Sequence, residues 1–199
     1  MKQIILCTLV LALIAGCGGG GKQVTRLDPN SQTDLSGRWN DTDARLVARE
    51  LIDDCLSRPW LDNHVKDAGK QPVVTVGTFS NETSEHINVD IFIEDFEREL
   101  LNSGRVQFAA GKPYRAELRQ ERQEQQEFAS RETVKKMRNE TGADYMLFGS
   151  VKTITDQEGN KQTVFYSTDA ELINIETMLI VWKGNKKIKK GISQGKTKW

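Results

Sequence analysis

The chain has 199 residues, 37% hydrophobic and 28% charged, which fits one globular domain with appendages and excludes a fibrous or disordered chain. Its 28 Lys and Arg are cancelled by 28 Asp and Glu, so it lacks the overall positive field that general nucleic-acid binding requires.

The N-terminus carries the most specific signal. Lys2 precedes the apolar run IILCTLVLALIAG, which is too short for a comfortable membrane span and reads as a signal peptide over residues 1–16. The run closes on Ile14-Ala15-Gly16-Cys17, resembling the bacterial lipobox. That motif implies cleavage between Gly16 and Cys17 and acylation of the Cys17 thiol by chains of the palmitate type. Two or more acyl chains hold a protein at a bilayer stably, whereas one does not. Gly18, in place of an Asp, follows the sorting pattern for the periplasmic face of the outer membrane. Cys7 departs with the signal peptide, leaving Cys55 as the one other thiol of the mature chain. Its apolar neighbours at helical spacing (Leu51, Ile52, Leu56) mark it as a small buried hydrophobe.

Residues 17–40 form the lipidated cysteine and a Gly-rich polar tether, ahead of a domain over 41–199. Counted from Gly18 to Gly37, the tether reaches roughly 25 Å. A helix is expected from Asp41 to Arg58, capped by Asn40 or Asp41, with Val47, Leu51 and Cys55 in one apolar row and Pro59 as its stop. Residues 60–71 read as a loop and PVVTVGTF, 72–79, as a buried strand. The stretch Asn81 to Ser84 supplies turn and cap formers. From Asn88 to Leu101 the period becomes helical, with Phe92, Phe96 and Leu100 aligned. RVQFAAG then reads as a second strand, and the strand–helix–strand spacing favours parallel pairing through a crossover.

Residues 113–141 are helical and very polar, with seven basic and six acidic side chains between 115 and 140 and no apolar heptad. They read as a solvated helix. Ser130 and Thr133 restart a shorter helix with Val134 and Met137 inward. The last third is β: ADYMLFGSVKTI, a turn at DQEGN, QTVFYSTDAELINIE and MLIVWKG form a meander. The expected fold is therefore α/β, a mixed sheet of about five strands with helices packed on it. The C-terminus holds seven lysines from 183 to 198 and no acid, as in an edge strand blunted against aggregation. Trp39 and Trp60 flank the first helix as packing residues.

Catalytic patterns are missing from the residues. His64 and His86 fall in separate predicted loops, without metal-ligand spacing or a nucleophile context, and the glycines at 18–21 precede any strand. No catalytic residue, metal, cofactor or small-molecule substrate is expected. The Asn81 and Asn139 sequons carry no weight in a bacterial lipoprotein.

Taken in order, the lipobox and tether, LSGRWNDTDARLVARELIDDCL, PVVTVGTFSNET, FERELLNSGRVQF, ETGADYMLFGSV and LINIETMLIVWKGNKKIKK resemble the LpoB family over about residues 35–191. The resemblance implies an outer-membrane lipoprotein that activates a penicillin-binding protein, a bifunctional peptidoglycan synthase. It also implies a fold similar to the N-terminal domain of TolB. A structural or secretion-associated envelope lipoprotein acting as an assembly module is the alternative. One departure concerns the turn before Trp182, where the family usually has Thr-Gly and Met178 occupies the glycine-like place.

Overall fold

The computed structural model describes residues 22–128 and 140–193. The signal segment with Gly16 and Cys17 lies outside these residues, as do the helix restart at 130–137 and the last six residues. Residues 22–31 separate from the body, and their one local feature is a turn at Asp28, whose backbone and side chain accept from Ser31 and Asn30.

The body starts at Gln32. Helix α1 spans Asp41–Leu56. Asn40 accepts from the Asp43 amide at 3.1 Å, and Asp43 accepts from the Asn40 amide at 3.0 Å, so both ends of a capping box are closed. Val47, Ala48, Leu51, Ile52 and Cys55 are all buried, as the periodicity predicts.

Residues 60–71 are not a loop. Helix α2 occupies Pro59–Ala68, because a proline that ends one helix is also well placed at the first position of the next. Trp60 and Leu61 anchor it, and Gly69 ends it at φ +67°. His64 therefore sits on a helix.

Strand β1 runs Val73–Glu82 and parallels the two-residue β2, Gln107–Phe108, across helix α3, Val89–Asn102. The expected second strand is cut to two residues at the sheet edge. Helix α4, Lys112–Phe128, follows, and none of its described side chains is buried.

Strands β3 (Tyr145–Glu158), β4 (Lys161–Asn174) and β5 (Ile180–Ser193) form the antiparallel meander. The first hairpin is tighter than DQEGN suggested. Asp156, Gln157 and Glu158 stay in the ladder, and Gly159-Asn160 alone make the turn, with Gly159 at φ +58°. The sheet order is β2-β1-β3-β4-β5, with β3 parallel to β1 and β5 at the edge.

One face of this sheet carries the core. Val164, Tyr166, Thr168, Ala170 and Leu172 alternate inward along β4. Phe79, Phe92 and Phe96 meet with ring centroids 4.5–5.4 Å apart, and Trp39 stands edge-on to Phe92 and Tyr166. Trp60 packs on Tyr145 and donates to the Cys55 carbonyl at 2.7 Å. Trp182 donates to Asp54 at 2.8 Å and lies where a side chain at Gly184 would stand, with ring carbon Cζ2 only 2.2 Å from an added Cβ.

Residues 33–39, read from composition as part of the tether, lie against this body. Lys190 Nζ bonds Asp34 at 2.8 Å, Asp43 at 2.6 Å and the Arg38 carbonyl at 3.0 Å. Burial opposes the Lys190 charge, but its hydrogen bonds to the two carboxylates outweigh that and hold its pKa above the usual lysine range.

Candidate functional site

Strand alternation sends every second residue to the face opposite the helices. Three rungs cross β3, β4 and β5 there: Met146, Ile173 and Ile180; then Phe148, Glu171 and Lys183; then Ser150, Asp169 and Asn185. Further along come Lys152, Ser167 and Lys187, and finally Ile154, Phe165 and Lys189. Strand β1 adds Ser80 beside Ser150 and Glu82 beside Lys152. One extra residue between Val76 and Phe79 makes a bulge, and Phe148 lies over the bare Gly77 within it.

The middle of this open face is a charge lattice. Lys183 pairs with Glu171, a contact that raises the lysine's pKa. Lys152 reaches Asp169 at 3.5 Å and Glu82 at 4.0 Å, and Asn185 donates to both Asp169 and Ser167 at 2.7 Å. Glu82, Lys152, Asp169, Glu171 and Lys183 line a shallow depression of about 400 Å³. Paired, solvated charges in an open hollow suit recognition of a charged surface better than enclosure of a small molecule.

A second concavity, of about 560 Å³, separates β2 from α4 and is lined by Phe108, Leu118, Arg115, Arg119 and Arg122. Glu140 already occupies two of its arginines, accepting from Arg119 at 2.6 and 2.8 Å and from Arg122 at 3.3 Å. The Arg119 bonds pull the Glu140 carboxyl below the ordinary range.

The candidate chemical residues scatter. Cys55 is buried, and desolvation, with a smaller contribution from Asp54, pushes its thiol up to about 12. A thiol so held is inert at neutral pH. His64 Nδ1 lies 3.0 Å from the Tyr145 hydroxyl and packs on its ring, while Nε2 stands 3.9 Å from Asp144. His86 is exposed in the loop after β1. The Asn81 side chain is spent locally, accepting from Thr83 and donating to the Glu85 carbonyl at 2.8 Å. Among the described residues no group of three or more His, Cys, Asp or Glu could hold a metal, and no helix is long and apolar enough to cross a membrane.

Glu85 is a structural residue that sequence reasoning missed. Its carboxylate accepts from the Tyr166 hydroxyl at 2.6 Å and from the Trp39 amide at 3.1 Å, tying the loop to β4 and to the entry of α1. Burial and that carboxylate hold the Tyr166 phenol well above its ordinary pKa. No local pattern marks such a residue, since its partners are 46 and 81 positions away.

Comparison with known proteins adds the family. No curated protein matches the sequence. Among solved structures, the LpoB C-terminal domain from Salmonella enterica aligns at 18% identity and TM-score 0.35, covering 65% of this chain and 93% of that one. The Escherichia coli LpoB C-terminal domain aligns at 19% identity and TM-score 0.36, with the same coverages of 65% and 93%. A lipoprotein of Neisseria meningitidis aligns at 14% identity and TM-score 0.39, covering 63% of this chain and 88% of its own. The family model described as peptidoglycan-synthase activator LpoB matches residues 43–188, from the first turn of α1 deep into β5. With that match spanning well over half of its length, the chain belongs to the LpoB family of peptidoglycan-synthase activators.

Proposed function

We propose that this protein is a lipid-anchored, non-enzymatic regulator that binds a penicillin-binding protein and stimulates its synthesis of peptidoglycan. The family match over residues 43–188 carries this reading. The lipobox ending in Cys17 supports anchoring, and Gly18 supports the periplasmic face of the outer membrane. His64 engaged with Tyr145, the buried Cys55 and a charge-lined open sheet face all favour contact over catalysis.

Activation by contact means preferring one of two synthase states. Each tenfold gain in rate needs about 1.4 kcal/mol of differential affinity for the active one. The test mixes the purified full chain, in detergent, with each penicillin-binding protein of the same organism and measures binding and glycan polymerisation. Binding with stimulation of at least one enzyme is expected. Failure of both across the whole set would remove the reading, and a large self-assembled species in light scattering would favour the assembly-module alternative.

A further inference from the structure

The turn joining β4 to β5 is built against the preference of its own residues. Met178 holds φ +60°, and among the described residues it is the one non-glycine in that region. Glycine adopts this backbone freely, whereas a side chain there crowds the following carbonyl. The conformation is imposed by its neighbours. The Met178 amide donates to the Asn174 carbonyl at 2.9 Å, the Thr177 amide to the Asn174 side chain at 2.8 Å, and the Asn174 amide to the Leu179 carbonyl at 2.9 Å.

This hydrogen-bonded tip gives its side chains to solvent. Met178 is 74% exposed, Leu179 64% and Ile180 54%. Such residues add little to the core, so the strain at 178 is met by local hydrogen bonds alone and not by side-chain burial. The apolar run continues onto the open face, where Ile180 pairs with Ile173, Ile173 in turn with Met146, and Phe148 lies beyond. The Glu171–Lys183 pair and the Lys152–Asp169 pair border it. An apolar centre with a paired polar rim is the anatomy of a protein contact site, and backbone strain concentrates where function needs a fixed shape.

We infer that the Met178-Leu179-Ile180 turn is the anchor by which this domain docks into an apolar pocket on the peptidoglycan synthase, with the Glu171–Lys183 rim setting its orientation. The inference rests on the synthase reading above. A folded protein is the occupant that fits. Glu176 lies in the turn itself and the adjoining Glu171–Lys183 pair is neutral overall, which disfavours an anionic bilayer. The family match, described as an activator of a peptidoglycan synthase, favours that enzyme over a second copy as the occupant.

The test uses the full chain in detergent with the synthase that it binds, comparing wild type, Leu179→Asp, Met178→Gly and the control Leu118→Asp, which alters another exposed leucine, on α4. Leu179→Asp is expected to weaken binding by about tenfold or more with its melting temperature unchanged. Met178→Gly is expected to weaken binding while melting no lower than wild type, a split that a purely structural role would not produce. Leu118→Asp should leave binding intact. Equal binding by wild type and Leu179→Asp overturns the inference and leaves the synthase reading standing. A wild-type chain that binds no synthase removes that reading, and the inference with it. The inference is also overturned if Leu179→Asp spares synthase binding but abolishes either self-association or the binding of an acyl-free Cys17→Ala chain to phosphatidylglycerol vesicles.

Discussion

The two faces of one sheet are made from the same strands and treated in opposite ways. Along β4, the even-numbered residues from Val164 to Leu172 are buried beneath helices and aromatic rings. The odd-numbered ones, Phe165, Ser167, Asp169, Glu171 and Ile173, stand half in water among lysines and carboxylates. Stability is concentrated on the first face, so the second is free to vary in charge and shape. A one-residue slip of register would exchange the two, which is why the long β3–β4–β5 ladder matters more than any single rung.

Substitutions can break this division. The largest effect is expected at Phe96, which is 0% exposed and packed between Phe79 and Phe92. Phe96→Ala should cost about 3–5 kcal/mol in urea unfolding, and a loss below about 1 kcal/mol would mean that the helix face is not the main store of stability. Next comes Gly184→Ala, where the new methyl collides with Trp182 and meets Leu51 Cδ2 at 3.0 Å. A loss of about 2 kcal/mol is expected by the same measurement.

A pH series sharpens the picture. Cys55 has its folded pKa raised from 9.0 to about 12, so its contribution is complete below pH 9 and is lost as pH climbs toward 12. Stability should fall in that window by about 1 kcal/mol per pH unit from this group, and Cys55→Ala should flatten the slope. Tyr166, also raised, adds to the fall, and Tyr166→Phe separates the two. The smallest effect is expected on the open face. Lys187→Glu and Lys189→Glu, both exposed and without an ion pair among the described residues, should each change stability by less than about 0.5 kcal/mol. A larger loss from either would show that the open face also bears load.

Much of the covered face could be read in advance. The rows Val47–Leu51–Cys55 and Phe92–Phe96–Leu100 repeat at helical spacing, and Asn40 with Asp43 spells a cap. The misreadings have physical causes. Helix α2 buries only Trp60 and Leu61, so it leaves almost no periodic trace, and Pro59 can end a helix or begin one. Asp156, Gln157 and Glu158 are polar because the hairpin extends into solvent, yet backbone pairing holds them in the strand. The open face was least legible. Alternation shows that two faces exist, but only the packing of α1 and α3 decides which one stays bare. Met178 stood out in the sequence as the occupant of a glycine-like place, and its positive φ agrees.

The three-way grip of Lys190 on Asp34, Asp43 and the Arg38 carbonyl has a mechanical side. A load entering the domain at Gln32 is met first by this ionic latch on the edge strand β5, then by the Trp39 ring packed edge-on against Tyr166 of β4. Traction on the leading end is therefore shared between side chains of two neighbouring strands, for as long as one ammonium keeps its two carboxylates.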